Sequence, residues 1–261
     1  MMPTYGVSYS GQDGSASWEG RHIADVAEFK RFLKEIVRPR MADEQSPFEP
    51  HLRGLATTGM SAQFVEKLLK AVPEAQSWEI GEAIAECTLG SCFGGTVHWP
   101  WNMVRDRRTP SASLPGADLV GFFEHNDHVV LLFGEVKTSA DKESPPNVMY
   151  GRSGMIWQLQ ETVNRRDIQK SLLQWLQARC SSEEHRRLYT KAVSNYITSQ
   201  GKELLLVGVL VRDTPPAEKD LKGRGMTLSG SFSQPTRSVL IAWYCPLPLA
   251  AWAAELKESA P

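Results

Sequence analysis

No stretch of this chain stays apolar for the roughly 18 residues that a membrane span needs. The best apolar runs, Val129–Phe133 and Leu204–Val211, have only strand length, and Val239–Leu256 is broken by Pro246 and Pro248. Net charge is equally scarce. Twenty-nine Lys and Arg stand against 30 Asp and Glu, for a formal charge of −1. That excludes a polycation that would coat nucleic acid non-specifically, so any such affinity must come from local patches or a partner. Cysteine is sparse too: Cys87, Cys92, Cys180 and Cys245 show no regular spacing and do not suggest a disulfide framework. Cys87, Cys92 and His98 give a C-x4-C-x5-H spacing without an evident fourth ligand, which argues against structural zinc. The opening Met-Met-Pro-Thr-Tyr-Gly lacks the basic and apolar regions of a secretory leader, so a cytoplasmic protein with reduced thiols is expected. There is no phosphate-binding loop of the Gly-x4-Gly-Lys-Ser/Thr type, hence no expected ATP hydrolysis, and no internal repeat or long low-complexity tract.

What is present is an ordinary globular mixture, 41% hydrophobic and 23% charged over 261 residues, enough for a substantial core. The spacing predicts a short strand over Tyr5–Tyr9, a Gly/Ser-rich turn over Ser10–Ser15, and a helix over Ile23–Val37 that Pro39 ends. A polar loop follows over Ala42–Pro50. Helices are predicted over Ala62–Ala71, with Ser61 as N-cap, and over Ser77–Thr88. Two apolar runs, Ala117–Phe123 and Val129–Val136, flank His125-Asn126-Asp127-His128 and read as a β-hairpin. One long helix is expected over Met155–Arg179 and another from Ser181–Glu184 to Thr198. Strands are expected over Glu203–Arg212 and Ser238–Tyr244, separated by a Pro/Gly-rich loop at Thr214–Thr236, with a short helix after Pro248. This order implies an α/β fold with a mixed central sheet flanked by helices. Residues 1 to about 75 read as an N-terminal extension, and 76–261 as the principal domain.

The hairpin places charge in register. If Asn126-Asp127 is a two-residue turn, antiparallel partners sum to 253, and Asp118 lies opposite Glu135. Directly opposed residues have Cβ atoms about 5 Å apart on one face, and Lys137, two residues on, shares that face. Two opposed carboxylates repel, and a divalent cation with a preference for oxygen ligands removes the conflict. With Lys137 beside it, such a site could serve a phosphodiester-hydrolysing chemistry. A surface hairpin end carrying one Lys–Glu pair and one further acid is the plainer alternative. Gly116 and Gly134, each just before a proposed ligand, allow close backbone approach.

Pro115-Gly116-Ala117-Asp118 followed by Glu135-Val136-Lys137 resembles the PD-(D/E)XK nuclease superfamily. The resemblance covers about 60 residues, with Pro115 displaced from its usual place directly before the acid. It implies a restriction-endonuclease-like core and Mg²⁺-dependent hydrolysis of DNA, with Mn²⁺ able to substitute. It also implies an acid from the preceding helix. On a helical wheel Glu79, Glu82 and Glu86 share a face, and Glu86 is preferred over Glu82 as the third metal ligand. Some relatives carry a Gln on the next helix, where this chain has Gln158 and Gln160. Arg105, Arg107 and Arg108 are the candidate DNA-binding cluster, ahead of Arg165/Arg166/Lys170 and Arg186/Arg187/Lys191, with Trp99 and Trp101 able either to stack on bases or to pack. Size, motif order and the extension also resemble the nuclease subunit of a Hachiman-type anti-phage defence system, which implies a helicase/ATPase partner docking on residues 1 to about 75. The other class left open is a non-catalytic interaction subunit with a nuclease-like fold.

Overall fold

The computed structural model describes residues 1–42, 46–70, 74–90, 94–102, 106 and 116–257. Its centre is a seven-stranded mixed sheet: β1 (Gly6–Asp13), β2 (Ala16–His22), β3 (Thr96–His98), β4 (Leu119–His125), β5 (His128–Ser139), β6 (Leu204–Arg212) and β7 (Arg237–Tyr244), in the order β1-β2-β7-β6-β5-β4-β3. Strands β2, β7, β6 and β5 run parallel, and antiparallel strands complete both edges. The expected α/β class with helices on a mixed sheet is therefore what forms.

Alternation along β5 sorts two cores. Leu131 and Phe133 face one, with Met155, Leu159, Leu172, Leu188 and Leu228 from helices α6 (Met155–Asn164), α7 (Arg166–Arg179), α8 (Glu183–Thr198) and α9 (Lys222–Ser231). Val130, Leu132 and Val136 face the other, with Phe29, Phe32, Ile80, Ile84 and Trp252 from α1 (Val26–Phe32), α5 (Ser77–Leu89) and α10 (Leu249–Leu256). Because both faces of the central strands are covered, their sequences read as continuous apolar runs without a polar face.

Several elements depart from the sequence reading, each for an identifiable reason. The N-terminal strand extends past Tyr9 and pairs with an unforeseen partner, β2, around a turn at Gly14, whose φ is +50°. The first helix does not stop at Pro39. A π-helical segment over Leu33–Val37 leads into α2 (Arg38–Ala42), with the Arg38 N–H bonded to the Leu33 carbonyl five residues back. That wider turn comes just ahead of the proline that lacks an N–H. The segment read as a polar loop forms α3 (Phe48–Gly54). In α4 (Gly59–Leu69) the N-cap is Thr58, and Ser61 is the far member of its capping box. The long helix expected over Met155–Arg179 breaks at Arg165, whose backbone is extended, and α9 rises from the loop expected after Thr214.

Beyond the carboxyl ends of the parallel strands, a polar cluster anchors the chain leaving β5. Arg212 and Asp220 are fully buried and paired at 2.6 Å. Asp220 also accepts from the Ser144 and Tyr244 hydroxyls at 2.6 and 2.8 Å, and Arg212 donates to the Asp141 and Glu143 carbonyls. A desolvated ion pair of this kind depends on further hydrogen bonds, and here both Arg212 terminal nitrogens and both Asp220 oxygens have partners. It holds the segment that carries the chain from β5 towards α6.

Among the strand glycines, Gly134 lies closest to neighbouring backbone. A Cβ there would lie 2.4 Å from the Val207 carbonyl and 3.0 Å from Leu119 Cδ1. Since the obstruction is backbone, Gly134→Ala is expected to cost about 1–3 kcal/mol. A thermal melt should fall by roughly 2–4 °C per kcal/mol. An unchanged melting point would show that β5 and β6 are not packed this closely.

Candidate functional site

The hairpin forms in the expected register. His125 pairs with His128, and the ladder continues to Leu119 opposite Gly134, every pair summing to 253. Asn126 and Asp127 both have positive φ, +49° and +63°, the conformation of a two-residue hairpin turn whose twist matches the strands. Asp118 stands one residue before β4. Its N–H donates to the Gly134 carbonyl at 3.0 Å, and its Oδ2 accepts from the Val136 N–H at 2.9 Å. Asp118 is thereby anchored on both sides of Glu135. Gly116 enters this turn with φ +86°, a conformation that favours glycine.

Glu135 is 3% exposed, on the face of β5 that looks towards α6. Lys137 Nζ donates to its Oε1 at 2.6 Å. Burial is the largest influence on the Glu135 carboxyl and pushes it up from 4.5 to about 8; the Asp118 charge pushes the same way, and Lys137 pulls against both. The three side chains proposed from the hairpin pattern are therefore brought together, and the electrostatic conflict between the two acids is real.

Two further features shape the space around Glu135. Its lateral neighbour on β6 is Gly208, where a Cβ would come within 2.6 Å of Met155 Sδ. The first turn of α6 thus lies beside Glu135. Two turns on, Thr162 Oγ1 reaches the Gly116 carbonyl at 3.4 Å, next to Asp118. Gln158 lies on α6 between these contacts, and its buried Oε1 meets no hydrogen-bond donor among the described residues. Gln160 turns away and bonds Ser231 of α9 at 2.8 Å, so only Gln158 is set towards the site. Neither Gly208 nor Met155 was singled out in the sequence, because a parallel-strand neighbour 73 residues away leaves no local signal.

The helix acids occupy different surroundings from those of a solvated acidic face. Helix α5 is buried nearly all round, Glu82 and Glu86 included. It packs on the sheet face opposite Glu135, its Gly81 set against Thr138. Glu86 is paired with Arg40 at 2.5 Å. Among the described residues no three His, Cys, Asp or Glu side chains lie together as a metal centre. Two carboxylates suffice for Mg²⁺, which keeps several waters and completes its shell with substrate phosphate. The half-buried Asp118 beside the buried Glu135 is a donor set of that kind, and its oxygens suit Mg²⁺ or Mn²⁺.

The other candidates are redistributed. Arg105, Arg107 and Arg108 lie outside the described residues, as does Cys92. Trp101 is fully buried against Trp175 and donates to the Val120 carbonyl, so it offers no face to a base. Trp99 packs over Gly121. Arg165 pairs with Asp167, Arg187 with Glu124 and Lys191 with Asp127, so three of the six cations in those clusters are matched by acids. Burial pushes the Cys87 thiol up to about 12, unfavourable for the thiolate that zinc requires.

The raised carboxyl sets a pH dependence. Unfolded, Glu135 loses its proton near 4.5; folded and metal-free, it holds it until about 8. Its contribution to stability is therefore full below 4.5 and is lost as pH rises through 8. A divalent cation competes with that proton, so Mn²⁺ affinity is expected to climb between pH 4.5 and 8. Calorimetric Mn²⁺ titrations at both ends of this window check it; affinity independent of pH would mean that Glu135 is not a ligand. No known protein-family model matches this chain, and no curated protein is significantly similar to it, so function is argued from this chemistry.

Proposed function

We propose that the chain is a Mg²⁺-dependent nuclease that hydrolyses DNA phosphodiester bonds at Asp118, Glu135 and Lys137. The observation behind this reading is the buried Glu135 carboxylate, wedged beside a second acid and bonded to a lysine at the carboxyl-terminal part of a central strand. Open α/β sheets place their ligands outside the carboxyl ends of the strands, the end of β5 at which Glu135 and Lys137 lie. A functionally idle protein has little reason to hold two repelling carboxylates in a desolvated corner.

A divalent cation at the two acids would neutralise phosphate charge and make water a better nucleophile. The protein's own groups do the rest. The Val136 N–H fixes Asp118, while Glu135 holds the Lys137 ammonium by a 2.6 Å hydrogen bond. That ammonium can take part of the negative charge that grows on the phosphate oxygens as the bond to the attacking water forms. Gln158, with its carbonyl oxygen buried and its helix beside both acids, can orient the attacking water or a phosphate oxygen. DNA as the polymer comes from the resemblance to PD-(D/E)XK nucleases, and a role in anti-phage defence from the resemblance to the nuclease subunit of a Hachiman-type system.

The same reading includes a helicase/ATPase partner. Helices α3 and α4 turn Phe48, Leu55, Met60, Phe64 and Leu68 outward, an apolar surface suited to docking. The rest of residues 1–75 is less separable than an extension suggests, since β2 pairs with β7 and Phe29 and Phe32 lie in the core.

Cleavage of linear, circular and single-stranded DNA by the purified chain with Mg²⁺ tests the activity. Asp118→Asn, Glu135→Gln and Lys137→Met are each expected to lower the rate by about a hundredfold or more while the fold survives. Wild-type rates in any of the three would overturn the assignment. Independently of activity, Mn²⁺ at a hundredfold excess over Kd should stabilise the wild type by roughly 2.7 kcal/mol. Asp118→Asn should lose most of that gain, and a wild-type melting point indifferent to Mn²⁺ would count against the site.

A further inference from the structure

Arg224 is one of the arginines for which no acid partner is found among the described residues. It lies near the start of α9 with its guanidinium 4.4 Å from the centre of the Tyr150 ring. Its Nε is buried and meets no hydrogen-bond acceptor among the described residues. Tyr150 itself is 50% exposed, a large aromatic face left towards solvent. A second exposed aromatic, Trp157 at 42%, stands on α6 nearby.

Helix geometry places the two on one seam. Gln160 of α6 bonds Ser231 of α9, so these residues mark the line where the helices meet. Trp157 is one turn before Gln160, and Arg224 is two turns before Ser231, each on the same side of its helix as the marker. Tyr150 joins the seam through Arg224, and its carbonyl lies against Gly154, where a Cβ would come within 2.7 Å. One residue later Met155 reaches Gly208, the lateral neighbour of Glu135. The start of α6, where Tyr150 meets the seam, therefore lies beside the strand neighbour of Glu135. Exposed Arg152, which makes no ion pair among the described residues, sits in the same bend.

We propose that this seam binds single-stranded polynucleotide and leads it to the acids, with Tyr150 and Trp157 stacking on successive bases and Arg224 and Arg152 meeting the phosphates. Aromatic faces accept any unpaired base but cannot reach one stacked inside a duplex, and uncompensated guanidinium groups supply the charge that the backbone requires. An Arg over a Tyr ring also presents a flat, weakly hydrated cation that can stack in turn. The inference rests on the nuclease reading for its direction towards the acids, and it specifies the form of the substrate: an unpaired strand.

The test is equilibrium binding in EDTA, where cleavage cannot interfere, using fluorescently labelled single strands of about 12 nucleotides. DNA and RNA strands and a blunt DNA duplex of equal length are compared. Either single strand binding the full-length protein about tenfold or more tighter than the duplex supports the proposal. The stronger of the two identifies the sugar. Tyr150→Ala and Trp157→Ala should each weaken single-strand binding by about tenfold, and Tyr150→Phe should retain it. Trp157→Phe should retain affinity while removing part of the fluorescence quenching that the strand causes, a signal that a purely structural role would not produce. Arg224→Met should reduce the salt dependence by about 0.7 in log–log slope, the share of one phosphate contact. Equal affinity for duplex, or wild-type affinity in both alanine variants, overturns the proposal. If the wild type nevertheless cleaves DNA, only the seam is wrong and the nuclease reading stands. If the alanine variants lose binding in a protein that no metal makes active, the seam is upheld and the nuclease reading falls.

Discussion

Everything at the candidate site depends on the register of one hairpin. Side chains alternate across a strand, so a slip of one residue between β4 and β5 would turn Glu135 and Lys137 into the opposite core and Val136 out of it. Two devices hold the register. Asn126 and Asp127, both in left-handed backbone, close the turn at one end, and the Asp118 carboxylate grips the Val136 N–H at the other. Asp118, one of the two acids of the candidate site, is thus also a structural pin. This double use explains why Asp118 can sit so close to Glu135: the hydrogen bonds that fix its position offset part of the repulsion between them.

The setting of that hairpin decides what the charges experience. With β6 on one side, α6 above and α5 below, β5 is covered on both faces, and the Glu135 carboxyl has little access to water. Desolvation, more than the neighbouring acid, is the main cause of its raised proton affinity. Gly208 matters here because a side chain on β6 would occupy the room that Met155 fills beside Glu135. Beyond the strand ends, the buried Arg212–Asp220 pair tethers Asp141, Glu143 and Ser144, and so directs the chain from Lys137 back over the sheet to α6. Strand β5 and the helix that overlooks it are coupled through this polar knot.

Local pattern served well where local physics dominates. Apolar runs of strand length, a two-residue Asn-Asp turn and the period of α5 were enough to place the hairpin, the pairing sum of 253 and the three charged residues of the site. It served poorly where a distant partner supplies the stabilisation. Strand β2 has a mixed sequence, Ala-Ser-Trp-Glu-Gly-Arg-His, and is a strand because β7 lies parallel to it. Helix α9 has three internal glycines and a weakly patterned sequence, yet Gly225 leaves room for Trp18 to pack against it. Pro39 reads as a helix stop, but a π turn widens the helix just before it.

The sequence by itself determined the charge constellation, because hairpin register follows from alternation and turn length, both of which lie within about 20 consecutive residues. It could not determine the environment of that constellation. Tertiary structure alone buried Glu135 deeply enough to raise its carboxyl, joined Glu86 to Arg40, withdrew Trp101 into the core and paired Arg187 with Glu124. It also brought Tyr150, Trp157 and Arg224 from three elements to one seam. The physical reason is that desolvation and ion pairing depend on neighbours set by the packing of helices on a sheet, over sequence separations at which no periodicity survives.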